Sequence, residues 1–318
     1  MKKVVFSLFV ALLATVGVNA QQIAVVSEDG TTSMFQTLPD AIVGASAGSV
    51  IYLPGGGFQI SDDVKITKKL TIIGIGHKTN GENADGNTVI TGNLFFDGGS
   101  DYSAVMGCYI TGNVYIGNDG SSVNNVTVRF CNLNSMQVKN SGCNGTYINQ
   151  NYIREGSNFG NSAVTLTNNV LYKLSDINGG TISCNVIILN GLVGYVLMNV
   201  NNTSIANNIL SGSMSNASPP LSSENFFVGR SWGNKPIVIE ADINDILVDV
   251  NNWSVSPSSD FHFKEEYKEY ETQAGIYAGD GFSDRGMAPV PYIVAKKVDA
   301  QTDASGKLNV KIRVKAGE

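Results

Sequence analysis

The chain has 318 residues with 21 Lys+Arg against 27 Asp+Glu, a net charge of −6 that becomes −8 once Lys2 and Lys3 of the first 20 residues are removed. This acidic balance, with no basic run, excludes the cationic face that nucleic-acid binding requires, although an anionic polymer can still meet a local patch. Four Cys without a CxxC pair and two His argue against a zinc or His-based metal cluster.

Residues 1–20 (MKKVVFSLFVALLATVGVNA) carry two lysines, an apolar run and the small-residue pattern Val18-Asn19-Ala20, which predicts a secretory signal peptide. A membrane anchor is the alternative, but the apolar run is shorter than the roughly 18 residues a span needs. No Cys follows the cleavage pattern, so no lipoprotein anchor is indicated. Residues 21–293 are expected to form one elongated repeat domain with caps, and residues 294–318 a strand and tail packed on it. Export would leave the chain periplasmic, extracellular or on the cell surface, with no membrane span after signal removal.

Residues 35–45 are amphipathic and suit a short helix capping one end. Apolar strands ended by Gly or Asn follow, LTIIGIG at 70–76 and TVITGNLFF at 88–96. A recurring phrase then takes over: INQNYI at 148–153, LTNNVL at 166–171, ISCNVI at 182–187 and IANNIL at 205–210, at steps of 18, 16 and 23 residues. RFCNLN at 129–134 and CYITGN at 108–113 are looser copies. Steps near 20 with no helical period leave no room for crossover helices. The chain is therefore expected to coil, each turn laying a parallel strand about 4.8 Å above the last. The fold class read from this pattern is all-β, a single-stranded right-handed parallel β-helix.

Asn is a poor strand residue but tolerates a left-handed backbone, so its recurrence at Asn151, Asn169, Asn185 and Asn208 predicts a turn column with these residues in that conformation. The stacked amides would form a ladder, with the preceding column (Gln150, Asn168, Cys184, Asn207) pointing inward beside it. The apolar run 186–200 is interrupted by Asn190, Gly191 and Gly194 and reads as core strand and turn rather than a span.

The stretch 35–76 contains Thr37-Leu38-Pro39-Asp40-Ala41-Ile42, then GSVIYLPGGGF at 48–58 and KLTIIG at 69–74. It resembles the opening of secreted right-handed parallel β-helix proteins of the pectin-lyase-like superfamily. SSDFHFK at 258–264 and GIYAGDGFSDRGMAPVPYI at 275–293 resemble their closing segments, so the resemblance covers most of 35–293. It implies an exported protein associated with polysaccharide. Lyases of that superfamily use Asp clusters for Ca²⁺ with a Lys or Arg base, and its hydrolases use several Asp on adjacent rungs. Neither motif can be placed here: residues 88–215 hold five acidic residues, Asp97, Asp101, Asp119, Glu155 and Asp176, with no adjacent pair among them.

The candidate binding residues are Arg154, Glu155, Lys173, Asp176 and Tyr172. In register, Glu155 would lie beside Lys173 on the next rung, either as a surface ion pair or as a sugar-carboxylate subsite with Lys173 or Arg154 as cation. Tyr172 could offer a stacking face, and Tyr152 is expected to point inward. Asp242, Asp245 and Asp249 form an acidic cluster that could hold Ca²⁺ or simply line a solvated face; otherwise no cofactor is implied. Gly55-Gly56-Gly57 lacks the Lys and helix of a phosphate cradle. Trp232 and Trp253 could stack on sugars or pack loops. His262 reads as structural and His77 as exposed. Cys108, Cys131 and Cys184 fall near one column as buried free thiols, with Cys131–Cys143 as an alternative bridge. Three functional readings remain: non-catalytic glycan binding or display, a lyase or hydrolase with a divergent site, and a structural or adhesive module. Oligomeric state is not legible.

Overall fold

A computed structural model describes residues 22–315 apart from 79–85, 189–194, 217–220, 229–236, 240–241, 251–255, 285, 288, 290, 299–300, 302–304 and 308. The expected signal peptide, the centre of the 186–200 run, and Trp232 and Trp253 lie outside the described residues. The chain forms an all-β parallel solenoid of about seven turns.

Three ladders of parallel strands build the coil. The first runs through Val50–Leu53, Thr71–Gly74, Ala104–Met106, Thr127–Arg129 and Thr146–Asn149 into the second half of Ser157–Thr167. The second runs from Gly56–Gln59 through Tyr109–Ile110, Tyr152–Ile153 and Val186–Ile188 to Ile237–Ile239. The third holds Leu94–Phe96, Val114–Ile116, Met136–Val138 and the first half of Ser157–Thr167. Alternation along each strand sends every second side chain inward. Ile51, Ile72, Val105, Val128, Ile148, Leu166, Ile182 and Ile205 therefore form one continuous buried file in register.

The corner between the first and second ladders explains the recurring amides. Asn151, Asn169, Asn185, Asn208 and Asn225 are 0–1% exposed and stack one above the next. Asn151, Asn169, Asn185 and Asn208 each donate Nδ2–H to the Oδ1 of the next, at 2.9–3.0 Å, and Oδ1 also accepts the backbone N–H of the residue before it in the stack. Nδ2 of Asn169 further donates to the carbonyls of Ile148 and Thr167, so a buried turn is saturated by one side chain per rung.

Two expectations for this corner are corrected. The left-handed conformation belongs to the preceding residue, at Phe130, Gln150, Asn168, Cys184, Asn207 and Glu224, with φ between 53° and 58°. It is that preceding column that faces out of the coil, while the ladder lies inside. A one-residue corner needs one positive φ to reverse the chain, and the following side chain then points into the coil, where its amide meets the turn's own peptides.

The outer side of the second ladder is also apolar. Tyr152, Val170, Val186, Ile209 and Phe226 form an in-register file packed beneath Ile243, Ile246, Leu247, Phe261, Phe263 and Ile276. Tyr152 thus points outward, not inward as expected, and is buried by this second core at 3% exposure. Residues 273–284, with 286 and 287, form a strap that runs back across the rungs. Asn207 donates to the carbonyl of Gln273, Asn168 donates to those of Ile276 and Ala278, Gln150 accepts from the Ser283 N–H, and the His77 N–H donates to the Gly286 carbonyl.

At the N-terminal end, Thr37 caps the helix Leu38–Gly44 by accepting the Asp40 N–H, with Pro39 in its first turn. Leu38, Ala41 and Ile42 close the open core beside the antiparallel strand Ile23–Val26, which covers the edge of Val50–Leu53. At the other end, Tyr292–Val298 and Val310–Lys315 form a separate antiparallel hairpin. Every residue of Val310–Lys315 is exposed, so this strand does not pack on the coil as expected.

Candidate functional site

The predicted cluster is spread over several roles rather than converging. Arg154 reaches back two rungs, donating Nη2–H to the carbonyls of Ile110 and Thr111, and its guanidinium lies 5.1 Å from the Tyr109 ring centre. Glu155 and Lys173 are both exposed, but no ion pair joins them. The stem of Lys173 instead lies over Gly156, within 2.8 Å of where a Cβ would stand. Tyr172 packs against the second core. Asp176 has a left-handed backbone, φ 58°, and accepts from Asn158 Nδ2 at 2.6 Å and Asn199 Nδ2 at 2.7 Å. With Asn216 donating to Asn199, this makes a second amide column on the outside of the coil.

The other acidic side chains of the repeat are used in the same way. Asp97 is buried and accepts the N–H groups of Asn118 and Asp119. Asp101 accepts the Asn124 N–H, and Asp119 accepts those of Gly98 and Ser121, which holds its carboxyl below the usual carboxylate range. Three of the five carboxylates thus hold turns and Asp176 joins an amide column, while Glu155 is exposed. Asp242 and Asp245 form a capping box at the helix Ile243–Ile246, and Asp249 pairs in register with Asp260. Among the described residues, no three His, Cys, Asp or Glu side chains converge as metal ligands.

His262 stacks on Tyr277 at 3.8 Å, and its Nδ1 lies 2.7 Å from Asp260. Tyr277 donates to Asp284 at 2.8 Å, and burial pushes its hydroxyl pKa upward. His77 is not exposed as expected: it is 5% exposed under the strap, edge-on to Tyr152, with neither ring nitrogen bonded. Burial, reinforced by Lys78, lowers its pKa to about 3. Gly286 makes this fit, since a Cβ there would stand 2.6 Å from the imidazole. All four cysteines are free, so the Cys131–Cys143 alternative is not formed. Cys108 and Cys131 occupy the inner ladder positions, whereas Cys184 belongs to the outward, left-handed column.

The third ladder carries the surface that the sequence reading missed. Its outward residues run in register as Phe95, Tyr115, Gln137, Asn158, Ser175 and Met198. Phe95 and Tyr115 stack at 4.8 Å and 8°, the rung repeat itself. Lys65 Nζ sits 3.2 Å over Phe95, and Lys139 Nζ sits 5.4 Å from the Tyr115 ring centre. The Tyr115 hydroxyl accepts from Asn113 Nδ2, and Asn113 Oδ1 accepts from Asn134 and Ser135. Gln137 bridges Ser135 and Lys139. Phe95 is buried beneath Lys65, whereas Tyr115 is half-buried, its ring and hydroxyl flanked by amides and the Lys139 ammonium. A signal for this file was present: ITGNLFF at 90–96 and ITGNVYI at 110–116 align residue for residue, placing Phe95 over Tyr115.

No protein-family model matches the chain, and neither a curated protein nor a solved structure is significantly similar to it.

Proposed function

We propose that this chain is an exported β-solenoid that associates with polysaccharide along its third ladder. The observation that carries the reading is the outward file Phe95–Tyr115–Gln137–Asn158–Ser175, which offers a polar head on four successive rungs after Phe95. Rungs repeat at about 4.8 Å, close to the length of one sugar residue in an extended glycan. A chain laid along the axis meets a hydroxyl or amide at each step. Lys65 and Lys139 flank the ring pair and suit an acidic substituent. The resemblance to the pectin-lyase-like superfamily supports the same reading. Binding rather than cleavage is favoured because Asp97, Asp101 and Asp119 are committed to turn N–H groups, and Asp176, beside this file, is held between the amides of Asn158 and Asn199.

The test is calorimetric binding of the purified chain to a panel of neutral and acidic plant and host polysaccharides. Reducing ends and unsaturated-product absorbance are followed in parallel. Binding to at least one glycan without product, weakened about tenfold or more by Tyr115→Ala with Lys139→Ala, supports the proposal. Product formation would move the chain to the enzyme reading, and no binding across the panel would overturn the association.

A further inference from the structure

The C-terminal hairpin is the part of the molecule whose surface least fits its surroundings. Val310, Ile312 and Val314 are 50%, 56% and 58% exposed and share one face of Val310–Lys315. Lys311, Arg313 and Lys315 share the other, and Lys311 pairs with Lys297 across the ribbon. Residues 292–315 hold six cations against two acids, +4 in a chain of −6, so the remainder carries −10. A two-stranded ribbon alone is marginal in water, and contiguous exposed apolar side chains mark an interaction surface.

We propose that this hairpin docks on an anionic lipid surface. Such a surface uses both halves of the observation. The Val310–Ile312–Val314 face enters the apolar boundary, and the cations meet the headgroups. In a two-stranded ribbon every side chain stands at an edge, so lysine and arginine stems on the far face can bend past it and snorkel to the phosphates. The acidic remainder is repelled by the same surface, which orients the molecule hairpin first. The coil then stands away from the bilayer with its third ladder accessible. A second copy of the chain is the competing occupant, since residues 260–284 expose Glu265, Glu266, Glu269, Asp280 and Asp284. That contact would engage the basic face and leave the apolar one in water.

The experiment is co-sedimentation of the full chain with vesicles of phosphatidylcholine, alone or mixed with phosphatidylglycerol, at low and high salt. Light scattering without vesicles is run alongside. Expected is binding to the anionic vesicles only, lost at high salt, and weakened about tenfold or more by Lys311→Glu with Arg313→Glu. Ile312→Trp, read by fluorescence, should shift to the blue on anionic vesicles and not on neutral ones. Equal binding to neutral vesicles, wild-type binding by the charge-reversed variant, or an unshifted Trp emission would overturn the proposal. So would salt-sensitive self-association with no vesicle binding.

Discussion

Asn169 gives both its backbone N–H and its side-chain Nδ2–H to one atom, Oδ1 of Asn185, each at 2.9 Å. Asn185 in turn donates to the carbonyls of Leu166 and Ser183 and to Asn208. Replacing it removes the partner of several buried groups at once. Asn185→Ala is expected to cost about 3 kcal/mol or more, since each orphaned buried group costs about 1–3 kcal/mol. Urea denaturation followed by far-ultraviolet circular dichroism checks this. A loss under about 1 kcal/mol would mean that water enters the turn and replaces the amide.

The left-handed column makes a contrasting pair. Glu224 is exposed at φ 55°, where glycine is free of the Cβ penalty. Glu224→Gly should leave stability unchanged or raise it by up to about 1 kcal/mol. Asn168 has the same backbone, φ 55°, but its Nδ2 holds two strap carbonyls. Asn168→Gly should therefore destabilise by about 1–2 kcal/mol despite the relieved backbone. Thermal melts of the two variants side by side separate backbone strain from strap attachment.

His77 gives the fold a pH dependence of defined sign. Its folded pKa of about 3 lies below the unfolded value of about 6.5, so between these values the unfolded chain binds more protons. Stability from this residue is complete above about pH 6.5 and falls as pH drops toward 3, by about 1.4 kcal/mol per unit. His77→Leu should flatten the slope of urea midpoint against pH between 6.5 and 4.5. An unchanged slope would place the acid sensitivity elsewhere, in the carboxylates.

Thiol reactivity should follow the two columns. Burial pushes Cys131 up to about 12 and Cys108 well above the ordinary thiol range, and Cys143 is buried as well. Cys184 is half-exposed beside Gly279 of the strap. Maleimide mapping of the native chain at pH 8 should label Cys184 slowly and spare the other three until urea opens the coil. Rapid labelling of Cys131 would contradict its place in the inner ladder.

The coil itself was legible because its cause is local. One amide is needed per turn, and the spacing of Asn151, Asn169, Asn185 and Asn208 displays that need directly. Which residue takes the left-handed backbone was not legible, because Gln150 and Cys184 carry no turn preference; the geometry of the corner forces it on them. The strap escaped for a different reason. Its contacts, such as Asn168 to Ala278, span 110 positions, and its glycine-rich sequence shows no period. The second core did leave a trace: Tyr152-Ile153, Val170-Leu171 and Ile209-Leu210 are apolar on both sides of the strand, as strands covered on both faces are. The candidate cluster around Glu155 and Lys173 was inferred from register alone, and register does not say which way a flexible ammonium turns. The aligned ITGN phrases point to the third ladder through repetition rather than charge.

Solenoids fray because each turn holds only its neighbours. Here the segment around 273–287 is clipped at the turn of Asn207 and again near His77, so early and late turns are tied by one piece of chain. Loosening either terminus then means opening the middle, and the whole coil should melt as a unit. The tie is also made after every turn that it secures. A polypeptide emerging N-terminus first, from a ribosome or through a pore, can wind most of its turns while the lashing that secures them is still to arrive.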